Sequence, residues 1–340
     1  MAWARAGRRF AVALVLETDG SSPRGPGARA LVDETGAILG TIGGGQVEAL
    51  AQAKAPAIAR AGTAQIFEAA LAGHRASEAE PICGGRMRVL LFAPDAAALE
   101  AMAAAAEGLA RRQRGFLITA LDDADPPRVE LQYRPEGAAV PGLEAMLERA
   151  ARREQPEFSA HALPGRALLL EPLVPPPRLL VVGAGHVGQA VARLADLAGF
   201  EVTVLDDRPE FTAPALFPPA VRTRCGDLAV ALDQFPFGPD LYVVIVTRGH
   251  THDGAALARC LGRPAAYVGM IGSVRKVALL REDFLARGRA TAEEFDRVYA
   301  PIGLDLGAVT VPEIAVSVVA QLIAVRRRGV APRMPRRTGP

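Results

Sequence analysis

The sequence is almost without lysine. Of 39 basic side chains only Lys54 and Lys276 are lysines, so arginine, whose planar fork suits phosphate and carboxylate, is the available anion ligand nearly everywhere. Cysteine is scarce and odd in number, at positions 83, 225 and 260. That excludes a disulfide scaffold and fits reduced thiols in a cytoplasmic protein. An excess of one charge sign is also missing: 39 basic residues face 37 acidic ones for a formal charge of +2, which argues against a nucleic-acid binder. Long apolar runs are absent as well. The most apolar stretch, VTVPEIAVSVVAQLIAV ending at Val325, is interrupted by Pro312, Glu313 and Gln321 and falls short of the roughly 18 residues of a membrane span. Arg8-Arg9 precedes a short apolar run that stops at Glu17 without a small-residue cleavage site, so an opening strand is expected there rather than an export signal. What is present is a chain of 340 residues, half of them hydrophobic. It is long enough for two domains of roughly 100–200 residues each.

The pattern along the chain points to an α/β protein, an N-terminal α+β domain followed by a C-terminal Rossmann-like doubly wound parallel sheet. Phe10–Leu16 reads as a buried strand and the turn-rich TDGSSPRGPGAR as a polar loop. Arg29–Val32 and Ile38–Gly40 read as a hairpin, and Gly43-Gly44-Gly45 opens a helix. Residues 1–95 form the first region, closing with Cys83-Gly84-Gly85 and the strand RMRVLLF. Residues 96–177 are Ala- and Arg-rich and are expected to be a helical connecting region, with one probable strand at GFLITAL and a stiff linker at Pro175-Pro176-Pro177. Residues 178–330 alternate strands and helices.

Several clusters carry chemistry. Gly183-Ala184-Gly185-His186-Val187-Gly188 satisfies G-x-G-x-x-G between a strand and a helix, the setting of a dinucleotide site. Asp206 ends the next strand where a ribose hydroxyl would sit, and Asp207 and Arg208 follow. Arg208 could instead accept a 2′-phosphate, so NAD and NADP both stay open, with S-adenosylmethionine a third option and glycines kept only for packing the bland one. His250, His252 and Asp253 stand beyond a strand's carboxyl end as an acid–base or metal cluster, or as an ordinary hydrogen-bonded loop. Ser273 and Lys276 follow a glycine turn and read either as a phosphate contact or as a solvated helix start. The N–H groups of Gly43, Gly44 and Gly45 converge as an anion site. Cys83, between Ile82 and the Gly84-Gly85 pair and near Arg86 and Arg88, is the candidate reactive thiol. Cys225 and Cys260 read as packing residues.

Taken together, VLETDGSSPRGPGARALVDETGAILGTIGGGQVE, ICGGRMRVLLF, the Rossmann block, VTRGHTHD, YVGMIGSVRKVALL and PIGLDLGAVTVPEIAVSVVAQLIA resemble, in order, the XdhC/CoxI family of xanthine dehydrogenase accessory proteins. The resemblance implies a chaperone more than an enzyme: a carrier that binds molybdenum cofactor, protects it while a cysteine desulfurase installs its sulfido ligand, and hands it to apo xanthine dehydrogenase or a related molybdenum hydroxylase. The cargo is a pyranopterin dithiolene with a phosphate. The implied anion ligands are Arg24, Arg29 and the Gly43–Gly45 backbone; Glu48 would accept hydrogen bonds from the pterin, or cap its helix; Cys83, with Gly84 and Gly85 beside it, would meet molybdenum or its sulfur. The competing expectation is an NAD(P)-dependent oxidoreductase built on the second domain, and a plainer one makes that domain a docking surface for the client or for a second copy of the chain.

Overall fold

The computed structural model describes residues 2–70 and 85–333. The chain divides into two compact units, Met1–Pro175 and Pro176–Pro340, parting within the proline run.

The first unit contains α1 (Ala2–Arg5), β1 (Phe10–Asp19), β2 (Arg29–Asp33), β3 (Ile38–Gly40), α2 (Gly45–Ala61), β4 (Ala64–Ala70), β5 (Arg86–Phe92), α3 (Ala96–Ala110), β6 (Gly115–Asp122), β7 (Val129–Pro135), α4 (Glu144–Arg153), β8 (Glu157–Leu163) and β9 (Arg166–Leu173). Two antiparallel sheets result, ordered β3-β2-β1-β5-β4 and β7-β6-β9-β8. Central β1 is apolar on both faces because both are covered. Ala11, Ala13 and Val15 pack against α2, while Val12, Leu14 and Leu16 pack toward α3 and the second sheet. Alternate side chains of a strand point to opposite faces, so one strand seeds two cores, each buried Leu or Val contributing about 1.5–3 kcal/mol. The hairpin turn between β2 and β3 is organised by Asp33, which accepts from Thr35 N–H at 2.9 Å, Thr35 Oγ1 at 2.6 Å and Ala37 N–H at 3.0 Å.

Residues 96–177 differ from the expected helical connection. Helices α3 and α4 are present, but the segment also builds a four-stranded sheet of its own. Strands β7 (VELQYRP) and β8 (EFSAHAL) are half exposed and alternate apolar with polar residues. That is the pattern of a sheet covered on one face, which the helical expectation passed over; β6, with Phe116, Leu117, Ile118 and Leu121 buried, is the strand that was expected.

The second unit contains β10 (Arg178–Val182), α5 (His186–Leu197), β11 (Glu201–Asp206), β12 (Arg222–Cys225), α6 (Leu228–Gln234), β13 (Gly238–Ile245), α7 (His250–Cys260), β14 (Ala265–Met270), α8 (Val274–Ala286), α9 (Ala292–Asp296) and α10 (Val311–Arg328). Its five strands are parallel in the order β12-β11-β10-β13-β14. Helices α5 and α10 cover one face and α6, α7 and α8 the other, so this is a doubly wound Rossmann-like sheet with its switch point between β10 and β13. The most apolar run of the sequence is α10. It starts with a capping box between Thr310 and Glu313, and among the described residues no helix is long and apolar enough to cross a membrane. Its buried Gln321 is fully used, accepting from Tyr267 Oη at 2.6 Å and Gly303 N–H at 2.9 Å and donating to the Gly303 and Pro332 carbonyls.

Candidate functional sites

In the first unit the turn-rich loop after β1 is gripped from two sides. A Cβ on Gly43, whose φ is 130°, would lie 2.7 Å from Pro23 Cγ; a Cβ on Gly85 would strike the Ser21 carbonyl and lie 2.8 Å from that of Asp19. Only glycine permits either approach. Three sequence blocks, SSPRGPG, the glycine triplet and the end of the Cys-Gly-Gly turn, thus converge on one loop. Cys83 and Gly84 themselves lie outside the described residues. Arg24, at the loop's crest, is exposed, and its carbonyl accepts from Ser22 Oγ at 3.1 Å.

Glu48, one turn into α2, folds back over the triplet. Its Oε1 accepts from Thr41 Oγ1 at 2.5 Å, Ile42 N–H at 3.0 Å and Gly44 N–H at 2.9 Å, and Gly43 N–H donates to Thr41 Oγ1 at 3.1 Å. The hydrogen bond from Thr41, partly countered by burial and supported by the backbone donors, holds the Glu48 carboxyl below its ordinary range. Of the three N–H groups expected to meet an anion, those of Gly43 and Gly44 are therefore occupied from within the chain, and Glu48 caps the loop. Thr41, four residues before Gly45, is a member of this arrangement that the sequence reading missed.

Arg29 is also engaged. Its Nη2 donates to both carboxylate oxygens of Glu171 on β9. Burial pushes the Glu171 carboxyl up, and the Arg29 charge and hydrogen bonds pull it partly back. Arg29 thus ties the start of β2 to the second sheet rather than standing free for a ligand. Arg86 and Arg88 meet acids across the ladder: Arg88 pairs in register with Glu17 on β1 and Glu68 on β4, and Arg86 with Asp19.

In the second unit, Gly183 runs against the β13 end with φ 110°, so that a Cβ would overlap the Val246 carbonyl, and Gly188 lies against the Gly183 carbonyl. Space around Gly185 is open, and α5 begins there with neither a side-chain cap nor an acid in its first turn. His186 is exposed. Asp206 is 3% exposed and bonded on both oxygens, to Ala184 N–H and to Arg208. Asp207 accepts from Arg248 Nη2 at 3.1 Å.

The polar cluster beyond β13 is a buried ion pair. Asp253, fully buried, accepts from Thr247 N–H at 3.0 Å and Oγ1 at 2.5 Å on one oxygen and from Lys276 Nζ at 2.5 Å on the other. Ser273 caps α8 by accepting from Lys276 N–H at 3.2 Å. Ser273 and Lys276 are thereby given structural partners in place of the expected phosphate. His252 is exposed and lines a recess of about 210 Å³ with Asp207 and Asp227; the side chain of His250 lies outside the described ones. No group of three or more metal-ligating side chains occurs among the described residues. Cys260 is buried and its thiol pushed up to about 12 by that burial, as befits a packing residue. Cys225 is not one, for it is exposed at the end of β12.

Most residues of these two sites lie in two stretches that match known families, with Gly85 and Glu171 outside them. The XdhC and CoxI family model matches residues 3–69 and the XdhC Rossmann domain model residues 179–322. The chain belongs to the XdhC and CoxI family. Two curated relatives bracket what this XdhC-type chain is similar to. "Uncharacterized protein YqeB" of Escherichia coli K12 is 27% identical over 318 residues, 93% of this chain and 43% of its own length. A probable xanthine dehydrogenase subunit of Bacillus subtilis 168 is 34% identical over 161 residues, 47% of this chain and 46% of its own. The chain spans under half the length of these relatives. A crystal structure described as a xanthine dehydrogenase from Bacillus halodurans shares the fold, with a TM-score of 0.74 at 24% identity over 96% of this chain and 94% of that one.

Proposed function

We propose that this chain serves the maturation of xanthine dehydrogenase or a related molybdenum hydroxylase, as a cytoplasmic carrier that holds molybdenum cofactor, shields it during sulfuration by a cysteine desulfurase, and delivers it to the apo-enzyme. The observation that carries the reading is the grip of Gly43 and Gly85 on the Ser21–Pro23 loop. It gathers three separated blocks of the first family match and its continuation into one place, with an unburied arginine at the crest.

Within this reading the residues divide by what is left to them. Arg24 is the cation available for the cargo's phosphate, and the open backbone at Gly45 lets a flat pterin approach closely. The Cys83 thiolate suits a soft, sulfur-rich molybdenum centre. Glu48 and Arg29 fix the loop and the start of β2 instead of touching cargo. The test is the molybdenum and pterin content of the purified full-length protein. Cys83→Ala is expected to lower both several-fold relative to the wild type. Equal retention would remove the thiol from the site.

A further inference from the structure

The ribose corner of the second unit is filled by the chain itself. In doubly wound sheets the acid at the end of the second strand accepts the hydroxyls of an adenosine ribose, and Asp206 holds that place at the end of β11. A carboxylate offers about four acceptor positions on its two oxygens. All four have donors here. Ala184 N–H donates to Oδ2 at 2.7 Å, Arg208 N–H to Oδ1 at 3.0 Å, Arg208 Nε to Oδ1 at 2.8 Å and Arg208 Nη2 to Oδ2 at 3.0 Å. The two backbone donors belong to the fold. The two guanidinium donors, one on each oxygen, take the positions that two ribose hydroxyls would need.

Arg208 is not a loose surface side chain. Its guanidinium carbon lies 3.9 Å from the centre of the Phe211 ring, its Nε is 3.9 Å from Asp207, and its side chain is 20% exposed. Asp207 does not replace the lost acceptor, because Arg248 donates to it at 3.1 Å. The glycine turn, by contrast, is open at Gly185.

We propose that Arg208 acts as an internal stand-in for the ribose diol, so that this Rossmann unit rejects NAD. Removing the side chain would free one acceptor position on each Asp206 oxygen. Two hydrogen bonds to an ionised acceptor are together worth at least about tenfold in affinity.

Calorimetric titration of the full chain with NAD, NADP and inorganic pyrophosphate tests this in the wild type, Arg208→Ala and Arg208→Lys, each checked for a wild-type circular dichroism spectrum. Arg208→Ala is expected to bind NAD at least about tenfold more tightly than the wild type, with Arg208→Lys, which reaches one oxygen only, in between. NADP should not gain, since its 2′-phosphate would face a bare carboxylate, and the pyrophosphate titration, which involves no ribose, should not change among the three. Wild-type NAD binding as tight as that of either variant overturns the proposal.

Discussion

Arg24 and Arg29 lie five positions apart and read alike in the sequence as anion ligands, yet their surroundings give them different work. Arg29 neutralises Glu171, whose side chain is 9% exposed, and breaking such a pair strands a buried charge. Arg29→Ala is expected to destabilise the first unit by about 3 kcal/mol, since its own end is partly solvated. Arg24→Ala should leave thermal stability within about 0.5 kcal/mol, as for an ordinary surface position, while lowering pterin retention. Melting curves paired with pterin content separate the two roles; an equal loss of stability in both would refute the division. The sequence could not have distinguished them, because Glu171 lies 142 residues from Arg29 and nothing local marks it as a partner. Lys276 and Asp253, 23 residues apart, were each legible as notable but not as a pair, for the same reason.

Among elements, the strand, glycine turn and helix from Arg178 to Leu197 could be read directly, because the apolar run, the glycine spacing and the helical pattern follow one another without a break in sequence. The sheet of β6 to β9 was read only at β6: β7 and β8 alternate apolar with polar residues, but the Ala- and Arg-rich helical composition around them masked that period. Asp206 links β11 to the turn before α5, and it gives this junction an acid dependence. Burial alone would raise its carboxyl, yet the guanidinium of Arg208 and the N–H groups of Ala184 and Arg208 lower it from 3.8 to about 2. A carboxyl depressed on folding stabilises the native state above its unfolded value and loses that contribution as pH falls through the folded one. Between about pH 4 and pH 2 the second unit should therefore lose roughly 2 kcal/mol through this group. Urea titrations across that range are expected to show the loss in the wild type and a flatter profile in Asp206→Asn; parallel profiles would assign the acid sensitivity elsewhere.

For the whole molecule, six ordered sequence blocks pointed to one family, and two family matches on two compact units carry that assignment. What the blocks did not reveal is how much of each expected site is already satisfied from within: two of the three triplet N–H groups, Arg29, Asp206 and Lys276 all have partners in the chain. The features left open are the exposed Arg24 on the gripped loop and the space around Gly185. The central claim is delivery. The most direct measurement is the activity recovered by an apo molybdenum hydroxylase when incubated with limiting sulfurated cofactor, with and without this protein. Recovery is expected to rise several-fold with the wild-type chain and to fall back toward the unassisted level with Cys83→Ala. Recovery that is the same with and without the wild-type chain would contradict the carrier role.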